Sequence, residues 1–347
     1  MRTDLPAPPP ILVSVLLPVR DAEPTLGAAL DSVTAEAGDD LEFVVVDDGS
    51  RDASLVVARG RAARDPRVVV LARARAGLVD ALNAGAAACR GGLLCRQDAD
   101  DLSVPGRVRA SAEFLRAHPD ADLVAARTEV FRDDGPVGSG MARWAAWSNS
   151  LTTHEDILRE RFVEAPFAHD AVTLRAAALR AAGGYRDGDF PEDYELWLRL
   201  LARGARFARL AQVGVRVRDH GRRLVRNDPR YRPEAFRALK LEHLRREVLR
   251  GGEPVLVWGG GRVAKTWVRE LAAAGVGVAA LVDVSPRRLG RVVHGVPVVA
   301  PEEAGPGGRF GTLLALGAVG QPGGHASIRA QLAALGREES KDFYFVA

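Results

Sequence analysis

The most informative stretch of the chain is Gly92-Leu93-Leu94-Cys95-Arg96-Gln97-Asp98-Ala99-Asp100-Asp101. A short apolar run meets three acids, and Pro105 follows, so the pattern predicts a buried strand, a loop and then a helix. Carboxylates this close repel one another unless a positive group lies among them. Mg²⁺ and Mn²⁺ prefer oxygen ligands and usually bind one or two carboxylates together with phosphates, so the loop is a candidate metal-diphosphate site. A solvated acidic turn is the simpler alternative.

The surrounding sequence alternates apolar runs with helical patterns. Buried strands are predicted at residues 12–17, 43–46 and 68–71, and helices from Pro24 and over residues 78–90. This alternation is typical of a parallel α/β sheet. The strand at 43–46 runs into Asp47-Asp48-Gly49-Ser50, so two acidic loops are expected at carboxyl ends of strands, where open α/β sheets bind ligands.

Composition limits the function classes. The chain has 347 residues, of which 47% are hydrophobic and 27% charged, as in soluble globular proteins. Its two cysteines, Cys89 and Cys95, are too few for a disulfide framework or a four-cysteine zinc site, so the cytoplasm is the expected compartment. Residues 216–250 hold twelve Arg or Lys against five Asp or Glu. This stretch could face a diphosphate, an anionic membrane surface or solvent; no nucleic-acid-binding signature accompanies it.

The domain boundaries are predicted from composition and from a change of pattern. Residues 1–10 contain four prolines and no apolar core segment, so they are expected to form a disordered lead-in. Residues 11–250 are assigned to one α/β domain, Gly251-Gly252-Glu253-Pro254 resembles a linker, and residues 254–347 are assigned to a second, smaller Rossmann-like domain.

A glycine-rich turn opens the second domain. Gly259, Gly261 and Ala264 fit the pattern G-x-G-x-x-A after a predicted strand, and Asp283 ends the next strand. One interpretation is a second nucleotide site. The other is a structural or dimerising role, in which the terminal run Phe343-Tyr344-Phe345-Val346 is an edge strand supporting a homodimer.

A second acidic pair stands at the start of a predicted helix. Glu192 and Asp193 follow Pro191 and precede the apolar residues of the helix. A carboxylate in a cleft could act as a general base towards a hydroxyl. Compensation of the helix dipole, worth about 0.3–1 kcal/mol, is the alternative. His169 and His220 are further polar candidates, although a single histidine is more often structural.

These motifs, taken in order, resemble those of family 2 glycosyltransferases, which have the GT-A fold. The resemblance covers residues 11–226 and rests on five segments: residues 13–18, 44–50, 77–85, 98–101 and 192–199. It implies a nucleotide-binding half at residues 11–101 and an acceptor half at 102–250. The second domain resembles the N-terminal Rossmann-like domain of bacterial sugar-acyltransferases.

The resemblance also implies roles for individual residues. Asp48 would meet the nucleotide base, with Pro18 and Arg20 in the same pocket. Asp98 and Asp100 would bind the metal-diphosphate group, with Asp100 as the direct ligand.

On the acceptor side, Asp193 would be the catalytic base, with Glu192 as its neighbour in the family's acidic pair. His220 would belong to a segment that closes over the diphosphate, and His169 would line the acceptor side.

The resulting expectation is an inverting glycosyltransferase that uses Mn²⁺ or Mg²⁺ and a nucleotide-sugar donor. Its acceptor would be a glycan or lipid-linked hydroxyl in envelope polysaccharide synthesis, reached from the cytoplasm with peripheral contact at the inner face of the membrane. Two alternatives stay open: a nucleotidyltransferase, which would also need an acidic metal pair, and a non-catalytic module that binds nucleotide-sugars.

Overall fold

The computed structural model describes residues 12–321 and 323–347. The chain divides into two compact units, the first comprising Met1–Ile157 and Pro166–Tyr231 and the second Leu158–Ala165 and Arg232–Ala347. The predicted lead-in at residues 1–10 lies outside the described residues. No helix among the described residues has both the length and the apolar character needed to cross a bilayer.

The boundary between the units differs from the predicted one near residue 250. The helix Pro233–Glu247 belongs to the second unit, because the buried Lys240 ammonium donates to the carbonyl oxygens of Val163 (2.8 Å) and Val346 (3.0 Å). The glycines at 251 and 252 therefore form a turn inside the second unit, and Leu158–Ala165 also packs there.

The first unit is built on an eight-stranded mixed sheet. Its strands are β1 (Val13–Val19), β2 (Leu41–Asp48), β3 (Val68–Arg73), β4 (Leu93–Arg96), β5 (Leu102–Ser103), β6 (Leu123–Phe131), β7 (Val172–Arg175) and β8 (Phe207–Arg218). Their spatial order is β3-β2-β1-β4-β7-β6-β8-β5. The four strands from β3 to β4 are mutually parallel, whereas β7 is antiparallel to both of its neighbours. The parallel half carries both predicted acidic loops.

Helices alternate with these strands along the chain. They are α1 (Glu23–Thr34), α2 (Ser54–Ala62), α3 (Leu78–Ala88), α4 (Arg107–Ala117), α5 (Ser139–Ser150), α6 (His154–Glu160), α7 (Ala176–Ala182), α8 (Glu192–Ala202) and α9 (Leu224–Asn227), and the end of α6, from Leu158, belongs to the second unit. Gly85 lets α3 approach the sheet closely, because a Cβ at this position would lie 2.2 Å from Leu16 Cδ1 and 2.7 Å from Val46 Cγ2.

Strand β1 is longer than predicted. We expected Pro18 to end it, but the strand continues to Val19 and Pro18 stands in register with Val46 of β2. Pairing with β4 stops earlier, at Leu16 and Arg96. Proline is tolerated at this position because the strand has only one neighbour there.

The second unit is a smaller Rossmann-like α/β sheet. Its strands are β9 (Val255–Trp258), β10 (Val278–Val282), β11 (Val292–Val293), β12 (Val296–Val299), β13 (Ala315–Gly317) and β14 (Phe343–Phe345), in the order β11-β12-β10-β9-β13-β14. Its helices are α10 (Pro233–Glu247), α11 (Arg262–Ala273) and α12 (Gly324–Ala334). The strands are parallel except for the β11–β12 hairpin. The terminal strand β14 pairs in parallel with β13, and its residues are buried.

Candidate active site

Asp48 is buried at the end of β2 and is fully engaged in local contacts. Its carboxylate accepts N–H hydrogen bonds from Ala76 (2.7 Å) and Gly77 (3.0 Å), and Arg20 Nη1 lies 3.7 Å away. Gly49, at φ +67°, is required here because a Cβ would lie 2.8 Å from the Arg75 nitrogen. Asp48 and Arg20 are therefore brought together, and Pro18 lies in β1 beside β2. Asp48 holds the loop before α3 against the end of the sheet.

The loop after β4 places two carboxylates at its surface and one beneath. Asp98 and Asp100 have 27% and 29% of their side chains exposed, whereas Asp101 is fully buried. Asp98 pairs with the buried Arg96 guanidinium. Burial alone would raise the pKa of Asp98, but the Arg96 charge outweighs it, so that the pKa is lowered. Asp101 Oδ1 accepts the N–H of Arg218 at 2.6 Å, which anchors the loop to β8.

His220 joins the segment after β8 to this loop. Its Nε2 lies 2.8 Å from Asp100 Oδ2. Its Nδ1 accepts the N–H of Arg222 at 3.2 Å, so the ring proton sits on Nε2 and is donated to Asp100. The predicted neighbours Asp98, Asp100 and His220 are thus brought to one place.

Asp170 is a member of this cluster that the sequence did not single out. Ligand oxygens of Asp98, Asp101 and Asp170 lie within 4.8 Å of one another. Burial, and then the charge of neighbouring Asp98, raises the pKa of Asp170 to about 6. Burial, followed by the charge of Asp170, also raises the pKa of Asp101 well above its usual value. The sequence analysis named the neighbouring residue His169 as a candidate, but it did not predict a role for Asp170.

The donor set fits a hard divalent cation. All candidate atoms are carboxylate oxygens, and the buried Oδ2 atoms of Asp101 and Asp170 have no hydrogen-bond partner among the described residues. The predicted ligand Asp100 is outside this group of three, and its Oδ2 contacts His220, but Asp98 and Asp100 are both partly exposed and so accessible to a cation that carries a diphosphate. Asp101 and Asp170 are buried, and their raised pKa values favour protonation at this position when no cation is bound.

The start of α8 carries the second acidic pair. Asp193 Oδ1 accepts the N–H of Tyr194 at 2.7 Å, and its side chain remains partly exposed. Burial, and then the charges of Glu192 and Asp98, raises the pKa of Asp193 to about 8. Asp193 is therefore a carboxyl group with the proton affinity of a general base that works near neutral pH.

Glu192 is almost fully buried and lies in a chain of polar contacts. Tyr231 Oη donates to Glu192 Oε2 at 2.6 Å, and His169 Nδ1 lies 3.7 Å from Oε1. His169 Nε2 lies 3.0 Å from the Tyr185 hydroxyl. Asn83 of α3 holds Tyr185 in place through two 2.9 Å hydrogen bonds to its backbone.

His169 links the two acidic sites of the first unit. Its Nδ1 lies 3.7 Å from Glu192 Oε1, and burial lowers the pKa of the ring. The next residue, Asp170, has an oxygen within 4.8 Å of the oxygens of Asp98 and Asp101. Residues 169 and 170 therefore join the loop after β4 to the start of α8.

The glycine-rich turn of the second unit differs in character. Gly259 has φ +122°, and α11 begins after Gly261, with Ala264 buried in its first turn. Asp283 is already engaged, because Arg288 Nη1 lies 2.8 Å from its Oδ2 and its Oδ1 accepts the N–H of Ser285 at 2.7 Å. A Cβ at Gly260 would lie 1.9 Å from Asp283 Oδ2. The turn is thus packed against this carboxylate.

Comparisons with known proteins agree with this description of the first unit. The family described as Glycosyl transferase family 2 matches residues 14–181. The amylovoran biosynthesis glycosyltransferase AmsE of Erwinia amylovora is 31% identical over 210 residues, covering 60% of this chain and 76% of that protein. The UDP-Gal:alpha-D-GlcNAc-diphosphoundecaprenol beta-1,3-galactosyltransferase of Escherichia coli is 27% identical over 212 residues, covering 60% and 74%.

Solved structures share the fold. S. aureus TarS 1-349 superposes with a TM-score of 0.52 at 17% identity, covering 67% of this chain and 65% of that one. The structure of TarS 1-349 in complex with UDP-GlcNAc superposes with a TM-score of 0.53 at 18% identity, covering 67% of this chain and 66% of that one. The chain thus spans slightly less than two thirds of the TarS chain.

The predicted fold class, a GT-A type mostly parallel sheet flanked by helices and followed by a smaller Rossmann-like domain, is confirmed. The likeness of the second unit to sugar-acyltransferases stays a prediction. On its match to the family and to AmsE, the chain belongs to glycosyl transferase family 2.

Proposed function

We propose that the protein transfers a sugar from a nucleotide-sugar donor to an acceptor hydroxyl in a single displacement that inverts the anomeric carbon. The observation that carries this proposal is the closeness of the two acidic pairs through residues 169 and 170. Oxygens of Asp98 and Asp170 lie within 4.8 Å of one another, and His169 Nδ1 lies 3.7 Å from Glu192, the chain neighbour of Asp193. Relatives named as glycosyltransferases and the TarS complex with UDP-GlcNAc support the donor class.

Asp193 takes the proton of the acceptor hydroxyl. The acceptor oxygen forms a bond to the anomeric carbon while the bond from that carbon to the diphosphate oxygen breaks and the nucleoside diphosphate leaves. No side-chain nucleophile is needed. Base catalysis of this kind contributes about 10²–10⁴-fold to the rate.

On the donor side, Asp98 and Asp100 would hold the divalent cation, Mn²⁺ or Mg²⁺. A bound cation neutralises charge that develops on the leaving diphosphate. The hydrogen bond between His220 and Asp100 supports a role for His220 in closing over the diphosphate. Asp48, with Arg20 and Pro18 beside it, forms the nucleoside end.

The acceptor is proposed from the relatives. The E. coli galactosyltransferase is named for a diphosphoundecaprenol-linked sugar, and AmsE for amylovoran biosynthesis. An acceptor of this class is a lipid-linked or growing polysaccharide hydroxyl. We therefore propose that the protein acts in the cytoplasm and contacts the inner face of the membrane peripherally.

A donor panel tests the proposal. The full chain is incubated with UDP-, GDP- and dTDP-sugars, Mn²⁺ and glycan or lipid-linked acceptors, and nucleoside diphosphate release is measured. Release that depends on acceptor and is lost in Asp193→Asn supports the proposal. Pyrophosphate release from a nucleoside triphosphate would indicate a nucleotidyltransferase, and binding without release would indicate a non-catalytic module.

A further inference from the structure

The Glu192 carboxylate is held from both sides and is withdrawn from solvent. Only 2% of the residue is exposed, Tyr231 Oη donates to Oε2 at 2.6 Å, and His169 Nδ1 lies near Oε1. Asp193, its neighbour in the chain, keeps part of its side chain exposed. An acceptor hydroxyl can reach Asp193 more easily than Glu192, so the two acids cannot have the same task.

Tyr231 is placed by a rigid turn. It ends the 3₁₀ helix Pro229–Tyr231, and its N–H donates to the Asp228 carbonyl oxygen at 3.1 Å. The side chain of Arg230 binds Asp228, with Nη2 2.8 Å from Oδ2. The Tyr231 hydroxyl therefore approaches Glu192 from a segment 39 residues away along the chain, in a fixed position.

We propose that Tyr231 and Glu192 act together as positioning residues for Asp193: the Tyr231 hydroxyl holds the Glu192 carboxylate, in its ionised form, beside the base. This inference rests on the proposed function, in which Asp193 takes the proton. Glu192 then contributes a fixed negative charge and does not touch the substrate.

The electrostatics around Asp193 support this assignment. The titratable groups that face it are Glu192 on its own helix, Asp98 after β4, Tyr185 before α8 and Tyr231 after α9. Burial contributes most to the raised pKa of Asp193, and Glu192 is the largest charge contribution. Burial would also raise the pKa of Glu192, but the nearby His169 ring and the hydrogen bond from the Tyr231 hydroxyl outweigh that effect and lower it. Glu192 therefore stays ionised where Asp193 titrates.

A titration without substrate tests the charge effect. The protein is labelled with ¹³C at its aspartate carboxyl groups, and the NMR signal of each carboxyl is followed against pH. The signal of Asp193 is assigned as the one that is absent from the spectrum of Asp193→Asn. We expect its midpoint to fall by about one pH unit in Glu192→Gln, because a neighbouring like charge is removed. An unchanged midpoint would overturn the inference. Should Glu192→Gln not fold, Tyr231→Phe removes the hydroxyl that holds the Glu192 carboxylate and is expected to lower the midpoint of Asp193 by a smaller amount; an unchanged midpoint in that variant would overturn the inference.

A double-mutant cycle tests whether Tyr231 acts through Glu192. We expect Tyr231→Phe to lower kcat about 10-fold with the donor KM unchanged, as for a lost hydrogen bond to a charged group. In the Glu192→Gln background the same change should have no further effect. Equal losses in both backgrounds would refute the coupling. Tyr344→Phe, which removes a hydroxyl in the second unit, is the matched control.

The two tests separate this inference from the proposed function. The carboxyl titration needs no donor or acceptor, so it stands even if no transfer is found. If Asp193→Asn is inactive but the cycle is additive, the function holds and the inference fails.

Discussion

His220 Nε2 lies 2.8 Å from Asp100 Oδ2, so the segment after β8 is tied to the loop after β4 through the carboxylate that we propose as a metal ligand. A cation bound at Asp100 would have to share this oxygen's charge with the imidazole. We therefore expect the position of the segment after β8 to depend on what the acidic loop binds.

The first prediction concerns Asp100. Asp100→Asn should remove the Mn²⁺-dependent part of nucleotide affinity, because an amide is a weaker ligand for a hard cation than a carboxylate. Calorimetry with the nucleoside diphosphate of the active donor, with and without Mn²⁺, measures it. Asp134→Asn, at an exposed acid paired with Arg132, is the control and should behave as the parent. Unchanged Mn²⁺ dependence in Asp100→Asn would rule out Asp100 as a ligand.

The second prediction concerns stability and pH at Asp193. Its pKa is raised in the folded protein from 3.8 to about 8, so the folded state favours the protonated form. The contribution of this protonation to the free energy of unfolding is fully present below about pH 4. It decreases as the pH rises and is lost above about pH 8, where Asp193 is ionised in the folded protein as well. Asp193→Asn should therefore gain Tm relative to the parent across this window, with the difference levelling off above pH 8. A pH-independent difference in thermal unfolding would contradict the raised pKa.

The third prediction concerns packing between α3 and the sheet. Gly85→Ala should destabilise the protein by about 1–3 kcal/mol, because the new methyl overlaps Leu16 and Val46. Gly27→Ala in α1 is the matched control: nothing lies within 4 Å of its added Cβ, so it should be neutral or stabilising by up to about 1 kcal/mol. Denaturant unfolding distinguishes them, and equal effects would argue against close contact at Gly85.

The fourth prediction concerns the glycine-rich turn of the second unit. Both oxygens of Asp283 already accept a hydrogen bond, one from Arg288 and one from the Ser285 N–H, and the residue is buried, so a ribose hydroxyl would have to compete with these partners. We expect calorimetry with nucleoside diphosphate on the full chain to give one site. Two sites, with the second lost in Asp283→Ala, would instead support the nucleotide-binding interpretation of Gly259, Gly261 and Ala264.

Much of the fold could be predicted because its signals are local. The apolar runs before Asp48 and Asp98 marked β2 and β4, and parallel strands bring their carboxyl ends to one edge. The extension of β1 through Pro18 could not be foreseen, since it depends on where β4 stops pairing. The unit boundary was missed because Lys240 is polar, yet it is buried against two carbonyl oxygens distant in sequence.

The same distinction applies to the site. Asp98, Asp100 and Asp193 stand in recognisable sequence patterns. Asp170 and Tyr231 do not, because each matters only through a partner far along the chain: Asp170 through Asp101, and Tyr231 through Glu192. Neither the hydrophobic periodicity nor a short motif in the sequence predicts a contact between side chains that are distant along the chain.

The most direct test of the central claim is the single-turnover rate of Asp193→Asn beside its donor affinity. The account predicts that nucleotide-sugar binding, measured by calorimetry with Mn²⁺, stays within about twofold of the parent while the transfer rate falls by about 10²–10⁴-fold. A variant that transfers sugar at the parent rate, or that loses donor binding with its turnover intact, would contradict the assignment of Asp193 as the base.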